Sequence, residues 1–242
     1  MVAGSTGNGT PGAANDLTVK EFNLYDILGV LAPGAVVTVG LMTIFPETIP
    51  VLAKENLSAG ELGFVVLISY VIGNLVAALG NFLERWYWWF RGGWPTDRAH
   101  QIHGKILEVR EIEFLQEKLR NQRMIGKPEK VIDLARKDWW AITRRIYVGL
   151  AAKGAARRID IFNAQYGMNR GIAAGFVVLI VLLLFQSGIH CWQIQAALVA
   201  CTILSFYRME RFACHYTAEL LRSYLNEGDL GNNPNPTTTE ES

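Results

Sequence analysis

Hydrophobic positions in this chain gather into long uncharged tracts, with the charged positions held in blocks between them. Residues 27–45, ILGVLAPGAVVTVGLMTIF, contain 19 positions without a charge. At about 1.5 Å of rise per helical residue, such a tract matches the roughly 30 Å of hydrocarbon in a bilayer. Residues 62–82, LGFVVLISYVIGNLVAALGNF, form a second uncharged tract, and 172–188, IAAGFVVLIVLLLFQSG, is the most apolar of all. A fourth, 192–207, is shorter and carries Gln193 and Gln195. Only residues 186–191 are free to turn the chain between the last two, so they read as a helical hairpin. Four transmembrane helices are expected.

Between the second and third tracts the pattern becomes amphipathic. Ile102, Ile106, Val109, Ile112, Leu115 and Leu119 recur at steps of three and four among charged residues, which predicts a helix with one apolar stripe. Gly126 and Pro128 break the chain, and a second stripe follows in Val131, Ala135, Trp139, Ile142, Ile146 and Leu150. Two such stripes bury each other as an antiparallel hairpin or face sibling hairpins in an oligomer. The segment ARRIDIFNAQYGMNRG is expected to run into the third span as a helix kinked near Gly167, and 208–226 to extend the fourth. No segment shows strand alternation. The fold class expected is all-α, four transmembrane helices with a cytoplasmic helical hairpin or bundle. Its divisions are a disordered tail (1–16), spans one and two (17–83), a cytoplasmic helical region (84–170), spans three and four (171–207), a cytoplasmic helix (208–227) and a disordered tail (228–242).

The chain has 242 residues, half of them hydrophobic, and a net charge of +1, which argues against a dedicated nucleic-acid binder. The distribution of charge says more than its sum. Residues 84–170 hold 18 Lys and Arg against 10 Asp and Glu, and only Lys54 lies between the first two tracts. The positive-inside rule puts that basic block in the cytoplasm, with both termini beside it, for a multi-pass protein of the inner membrane. The N-terminal stretch lacks the basic and apolar regions of a secretory signal. Cys191, Cys201 and Cys214 are spaced too irregularly for a zinc site and read as small apolar fillers.

Five aromatic residues in a row, Trp86, Tyr87, Trp88, Trp89 and Phe90, stand between Arg85 and Arg91. At the end of a span such a run reads as an interfacial girdle, with the arginines placed to meet lipid phosphates. A stacking platform for single-stranded nucleic acid also interleaves aromatics with Arg, but this run falls at a predicted span end. Within span two, Tyr70, Asn74, Ala77, Asn81 and Glu84 follow steps of four and three and are expected to share a helix face. Lipid offers a polar stripe no hydrogen bond, so the stripe either packs against neighbouring helices or lines a pore between copies, with Glu84 at its cytoplasmic mouth. Small residues, Gly73, Ala77 and Gly80 in span two and the Gly171/Gly175 pair in span three, predict close helix contacts. Asp26 at the entrance of span one, Pro33 within it, and the Asn169 and Arg170 pair are candidates for a hinge or interface.

Catalytic motifs for phosphate binding, zinc proteolysis, thiol redox or serine hydrolysis are absent, so no enzymatic activity, cofactor or metal is expected. Arg98 and His103 have the spacing of the Arg and His pair in HEPN ribonucleases, with Ala99 where a polar residue is usual. His100 and His103 have no further metal ligand at helical or loop spacing.

Four pieces, LYDILGVLAPG, YVIGNLVAALGNFLE, FNAQYGMNRGIAAG and YRMERFACHYTAELLRSYL, resemble a group of small bacterial multi-span proteins found beside antiviral systems, including the membrane accessory proteins of type VI-B CRISPR loci. The resemblance touches all four tracts and implies an oligomeric pore or membrane-perturbing effector. The partners expected are the lipid bilayer, further copies of the chain and a cytoplasmic protein, with no specific nucleic acid. The alternative is a membrane anchor or scaffold that recruits a cytoplasmic partner without conducting anything.

Overall fold

A computed structural model describes residues 13–45, 58–99, 106–126, 130–187 and 192–230, except for the side chains of 13–28, 187 and 228–230. Every regular element among them is helical: α1 (Ala13–Ile44), α2 (Ala59–Phe90), α3 (Pro95–Arg98), α4 (Val109–Asn121), α5 (Arg136–Ala152), α6 (Arg157–Ser187) and α7 (Trp192–Leu230), with one 3-10 turn at Val131–Asp133.

Local chemistry sets several helix ends. α2 starts with a capping box, in which the Ser58 hydroxyl accepts from the Glu61 N–H at 3.3 Å while the Ser58 N–H donates to Glu61 Oε2 at 2.8 Å. It stops after Phe90 because Gly92 takes φ +77° and Gly93 N–H returns to the Trp88 carbonyl at 2.8 Å. Pro95 then opens α3 at a position where no N–H is needed. α5 ends in the same way, with Gly154 at φ +73° and Ala155 N–H on the Leu150 carbonyl at 2.9 Å.

At the apolar end α1, α2 and α6 pack together around Val37, Val76 and Ala174. The backbones of α1 and α2 touch. A Cβ built on Gly34 would stand 1.7 Å from the Ser69 carbonyl oxygen, and one on Gly73 would stand 2.1 Å from the Val30 oxygen. Beside this contact the Ser69 hydroxyl donates to Thr38 Oγ1 at 3.1 Å, and Thr38 donates to the Gly34 carbonyl at 2.8 Å. Pro33 is buried against Gly171 of α6, where an added Cβ would lie 2.8 Å from the proline Cγ. The small residues of spans two and three thus serve contacts within one chain.

α6 and α7 form a long antiparallel pair. The first half of α7 turns Gln195, Leu198, Thr202 and Ser205 inward, with Ser205 buried, and leaves Ile194, Ile203 and Leu204 exposed. At the charged end α4 and α5 both lie on the second half of α7. Ile112, Leu115 and Leu119 share one core with Trp139, Ile142, Ile146 and Leu150 and with Leu220, Leu221 and Tyr224 of α7. The hairpin stripes are therefore buried by a third helix of the same chain, not by each other alone. The first stripe also starts later than expected: residues 106–108 are non-helical and α4 begins at Val109, capped by Glu108 and Glu111. Its position Ile102 lies outside the described residues. Ala135 leaves the second stripe because it caps α5 and is exposed.

Among the described residues two helices, not four, are long and apolar enough to cross a bilayer, in the runs Ala59–Arg98 and Arg157–Gln186. The apolar part of α1 with described side chains, Gly29–Ile44, is shorter than a full crossing. The apolar half of α7 is diluted by Gln193 and Gln195 and runs directly into the charged sequence RMER at 208–211.

Candidate functional site

Where the apolar and charged ends meet, α2 and α6 enclose a carboxylate. Glu84 of α2 is 3 % exposed. Its Oε2 accepts from Nη1 of Arg170 and its Oε1 from the hydroxyl of Tyr166, both on α6 and one turn apart. The Tyr166 oxygen in turn accepts from Trp88 Nε1 at 3.0 Å, and Trp88 lies one turn beyond Glu84 on α2. Trp94 closes the group, stacking on Trp88 with ring centroids 5.8 Å apart. The Arg170 guanidinium stands 5.9 Å from the Tyr166 ring centroid. A carboxylate so buried needs a neighbouring cation and hydrogen-bond donors to offset its lost hydration, and this cluster supplies both. One donor is left over: Arg170 Nε is buried without a hydrogen-bond partner among the described residues.

A second cluster ties the end of α2 to α7. The Tyr87 hydroxyl donates to Glu210 Oε2 at 2.7 Å, Arg91 Nε donates to Glu210 Oε1 at 3.2 Å, and the Tyr87 ring stacks on Phe206 at 5.1 Å. Burial pulls the Glu210 carboxyl upward, but the bonds from Arg91 and Tyr87 outweigh it and hold it below the usual range. Arg91 is thus ion-paired with a carboxylate of its own chain.

The five aromatic residues divide accordingly. Five successive helical positions sweep more than a full turn, so one face cannot hold them. Trp88 is 1 % exposed and Tyr87 half-buried, whereas Trp86, Trp89 and Phe90 are exposed. The girdle reading survives in geometry only for those three. The polar stripe of α2 divides too. Tyr70, Asn74 and Asn81 are exposed, Ala77 is half-buried and Glu84 is enclosed. Asn74 Nδ2 donates to its own helix at the Tyr70 carbonyl, 2.8 Å away, and the Asn81 carboxamide has no hydrogen bond to any described residue. Among the described residues neither asparagine hydrogen-bonds a neighbouring helix. Glu84 is not an open charge at a mouth, because Arg170 neutralises it.

Asn169 is buried and donates to the Gln165 carbonyl at 2.7 Å, so it serves α6 itself, while its neighbour Arg170 joins α6 to α2. The side chain of Asp26 lies outside the described residues, as do His100 and His103. Sequence reasoning did not single out Tyr166, Trp94 or Glu210. Tyr166 carried a usable signal, since it sits four residues before Arg170 and must share its face.

Two clefts flank this junction and meet at Tyr147, Asn163 and Tyr166. One, of about 450 Å³, lies among α3, α5, α6 and α7 and carries Arg136, Trp140 and Arg144. The other, of about 670 Å³, reaches down past Arg157 and Arg170 to Val30 of α1 and Ala77 of α2. Tyr147, between them, donates to Asp160 Oδ1 at 2.7 Å; burial first, and that bond second, push its hydroxyl up to about 12. No protein-family model matches the chain, and neither a curated protein nor a solved structure is similar to it.

Proposed function

We propose that this chain is a multi-pass protein of the bacterial inner membrane that self-associates through α2 and perturbs or conducts across the bilayer between its copies. The observation that carries the reading is the exposure of Asn74 and Asn81 on an otherwise apolar outer face of α2. Leu67, Val71, Leu75 and Phe82 surround them and are all more than half exposed. Such a face suits lipid, except at two carboxamides one heptad apart that lipid cannot hydrogen-bond. A second copy presents the same two groups and satisfies them in pairs, as Asn does at helix interfaces.

Membrane insertion is supported by the inside-out character of the apolar end. Phe185 is 87 % exposed and Leu75 69 %, while the inward face of α7 carries Gln195, Thr202 and Ser205. Water would reverse that arrangement. We assign crossings to α2 and α6, which have the length and apolarity to cross alone, and to α1 and the first half of α7, which fall short alone but pack alongside them, with both termini and the basic block in the cytoplasm. α1 and α2 meet at backbone contact with α6 packed closely against both, and both clefts lie toward the charged end, so a passage belongs between copies and not through one chain. The resemblance noted above suggests antiviral defence as the setting, and no catalytic step is invoked.

The test is planar-bilayer recording with chemical cross-linking in parallel. Wild type is expected to give cross-linked oligomers and conductance, and the pair Asn74→Leu with Asn81→Leu to lose both while staying in the membrane. Oligomers and conductance that survive the double substitution overturn the assignment to α2. Complete absence of conductance at every protein dose favours the second reading, a scaffold. That reading has its own support, because Phe114, Trp140 and Val148 are exposed at the charged end, and Trp140 and Val148 share a face of α5. A scaffold would lose its partner on Trp140→Ala and keep it without Asn74 and Asn81.

A further inference from the structure

The cleft of about 450 Å³ among α3, α5, α6 and α7 gathers aromatic faces and polar groups that the fold leaves unused. Trp94, Trp140, Tyr147, Tyr166 and Tyr216 line it, and Trp140 is exposed. Its charged lining is Asp97, Arg136 and Arg144. Arg136 pairs with Asp97 at 2.7 Å, whereas Arg144 has no carboxylate partner among the described residues and lies over the Trp140 ring at 5.5 Å. One positive charge is therefore uncompensated within the cleft. Asp160 lines only the neighbouring cleft, and its Oδ1 accepts from Tyr147. Its charge still reaches Tyr216: burial first, and that carboxylate second, push the Tyr216 hydroxyl up, so it stays a neutral donor. The Tyr216 hydroxyl and the Asn163 carboxamide have no hydrogen bond to any described residue.

We propose that this cleft binds one free nucleotide, its base among the Trp94 and Trp140 rings with an edge on Asn163, and its phosphate on Arg144 with Arg136 beside it. A carboxamide offers a donor and an acceptor side by side, which suits the edge of a nucleobase. Aromatic faces take the base whatever its identity. A guanidinium offers phosphate a bidentate pair of donors. Arg136 and Arg144 lie about two turns apart on the α5 face that carries Trp140, and a helical side chain leans back toward the N-terminus, which brings Arg144 toward Arg136. An aliphatic anion would leave the aromatic faces in water, and a cation would meet Arg144. The volume suits one small ligand. A long nucleic-acid strand needs a continuous cationic track, which Asp97 and Asp160 interrupt. Bound nucleotide touches Tyr166, whose hydroxyl donates to Glu84, so occupancy of the cleft bears on the junction of α2 and α6. The inference rests on neither membrane insertion nor self-association.

Isothermal titration calorimetry of the full chain in detergent tests it, with AMP, GMP, CMP and UMP as probes. At least one is expected to bind once per chain with Kd on the order of 10 μM. The corresponding nucleoside should bind roughly tenfold more weakly, and ribose 5-phosphate not measurably. Arg144→Ala is expected to weaken the nucleotide by roughly tenfold and leave the nucleoside unchanged, while Asn163→Leu weakens both. Both residues are exposed, and a thermal melt of each variant verifies its fold. Saturation-transfer NMR on the wild-type chain needs no variant and is expected to mark the base protons more strongly than those of the ribose. No binding of any of the four nucleotides at millimolar concentration overturns the proposal, as does an affinity unchanged in both folded variants or a ribose marked more strongly than the base. Inorganic phosphate or ribose 5-phosphate binding as tightly as the nucleotide overturns it too, since the base then contributes nothing. A single-stranded oligonucleotide that binds far more tightly than any mononucleotide overturns it in favour of a strand.

Discussion

Arg170 of α6 is ion-paired with Glu84 of α2, whose side chain is 4 % exposed, so the two longest apolar helices are locked together by a buried charge pair. Tyr166 and Trp88 complete the hydrogen bonds around it. Removing one partner of such a pair leaves the other charge buried and alone, which costs about 3 kcal/mol or more. Arg170→Leu should therefore lower the melting temperature in detergent sharply. The pair Glu84→Leu with Arg170→Leu should recover a large part of the loss, because no isolated charge is then left. Thermal melts of the two variants side by side check this, and a double variant as unstable as Arg170→Leu would argue against a lock.

Gly34 and Gly73 make the second prediction. A Cβ on Gly34 would collide with backbone, and backbone cannot rotate away as a side-chain tip can. Gly34→Ala should cost about 3 kcal/mol or more and leave little folded protein after detergent extraction. Gly63, on the same α2, has nothing within 4 Å of its added Cβ. Gly63→Ala should be neutral or stabilising by up to about 1 kcal/mol. Size-exclusion profiles of the two variants separate the cases.

The third prediction concerns acid. Burial raises the Glu111 carboxyl, but Arg222 and the Glu108 N–H outweigh it, leaving the group below its ordinary 4.5. Glu111 Oε1 accepts from Arg222 Nε at 2.8 Å, which joins α4 to α7. A depressed carboxyl contributes stability at pH above its unfolded value, and that contribution fades as pH falls through the folded value. Stability at the charged end should thus drop as pH falls below about 4.5. Arg222→Leu should flatten part of that drop while lowering stability at neutral pH slightly, since the pair is half exposed. Denaturant melts at neutral pH and at about pH 3 check it.

What the sequence revealed, and what it hid, follows from geometry. Continuous apolar tracts announce helices whatever their partners, and α2, α6 and α7 appear where the tracts predict. The stripes of α4 and α5 were legible as faces, yet their cover, Leu220, Leu221 and Tyr224, was not, because the second half of α7 is as charged outside as any solvated helix. Glu84 was misplaced for a different reason. Steps of four and three average 3.5 residues per turn, whereas the helix needs 3.6, so the stripe drifts by roughly 20° per heptad. Over the fourteen residues from Tyr70 to Glu84 that is roughly 40°, enough to move a side chain from the outer face to the buried one. The aromatic block misled similarly, since its composition suited an interface while its length guaranteed that some rings turned inward. Glu210 lacked any sequence mark, for its partners Tyr87 and Arg91 lie more than a hundred residues away.

Self-association makes the fourth prediction. If copies meet along α2, cysteines introduced at Val71 and Ala78, on the face of Asn74, should form disulfide-linked dimers on oxidation, with Cys191, Cys201 and Cys214 replaced by Ser. A cysteine at Leu79, which packs inward, should not. Dimers at Leu79 alone, or at neither face, would remove α2 from the interface.

The account depends most on the chain crossing the bilayer with its basic block on one side. Gly60 is exposed at the start of α2 and Asn121 is exposed at the end of α4, so single cysteines there, in a background free of the native three, report two compartments. A membrane-impermeant maleimide should label Gly60→Cys in intact spheroplasts and Asn121→Cys only after lysis. Labelling of both positions from the same side would contradict the account.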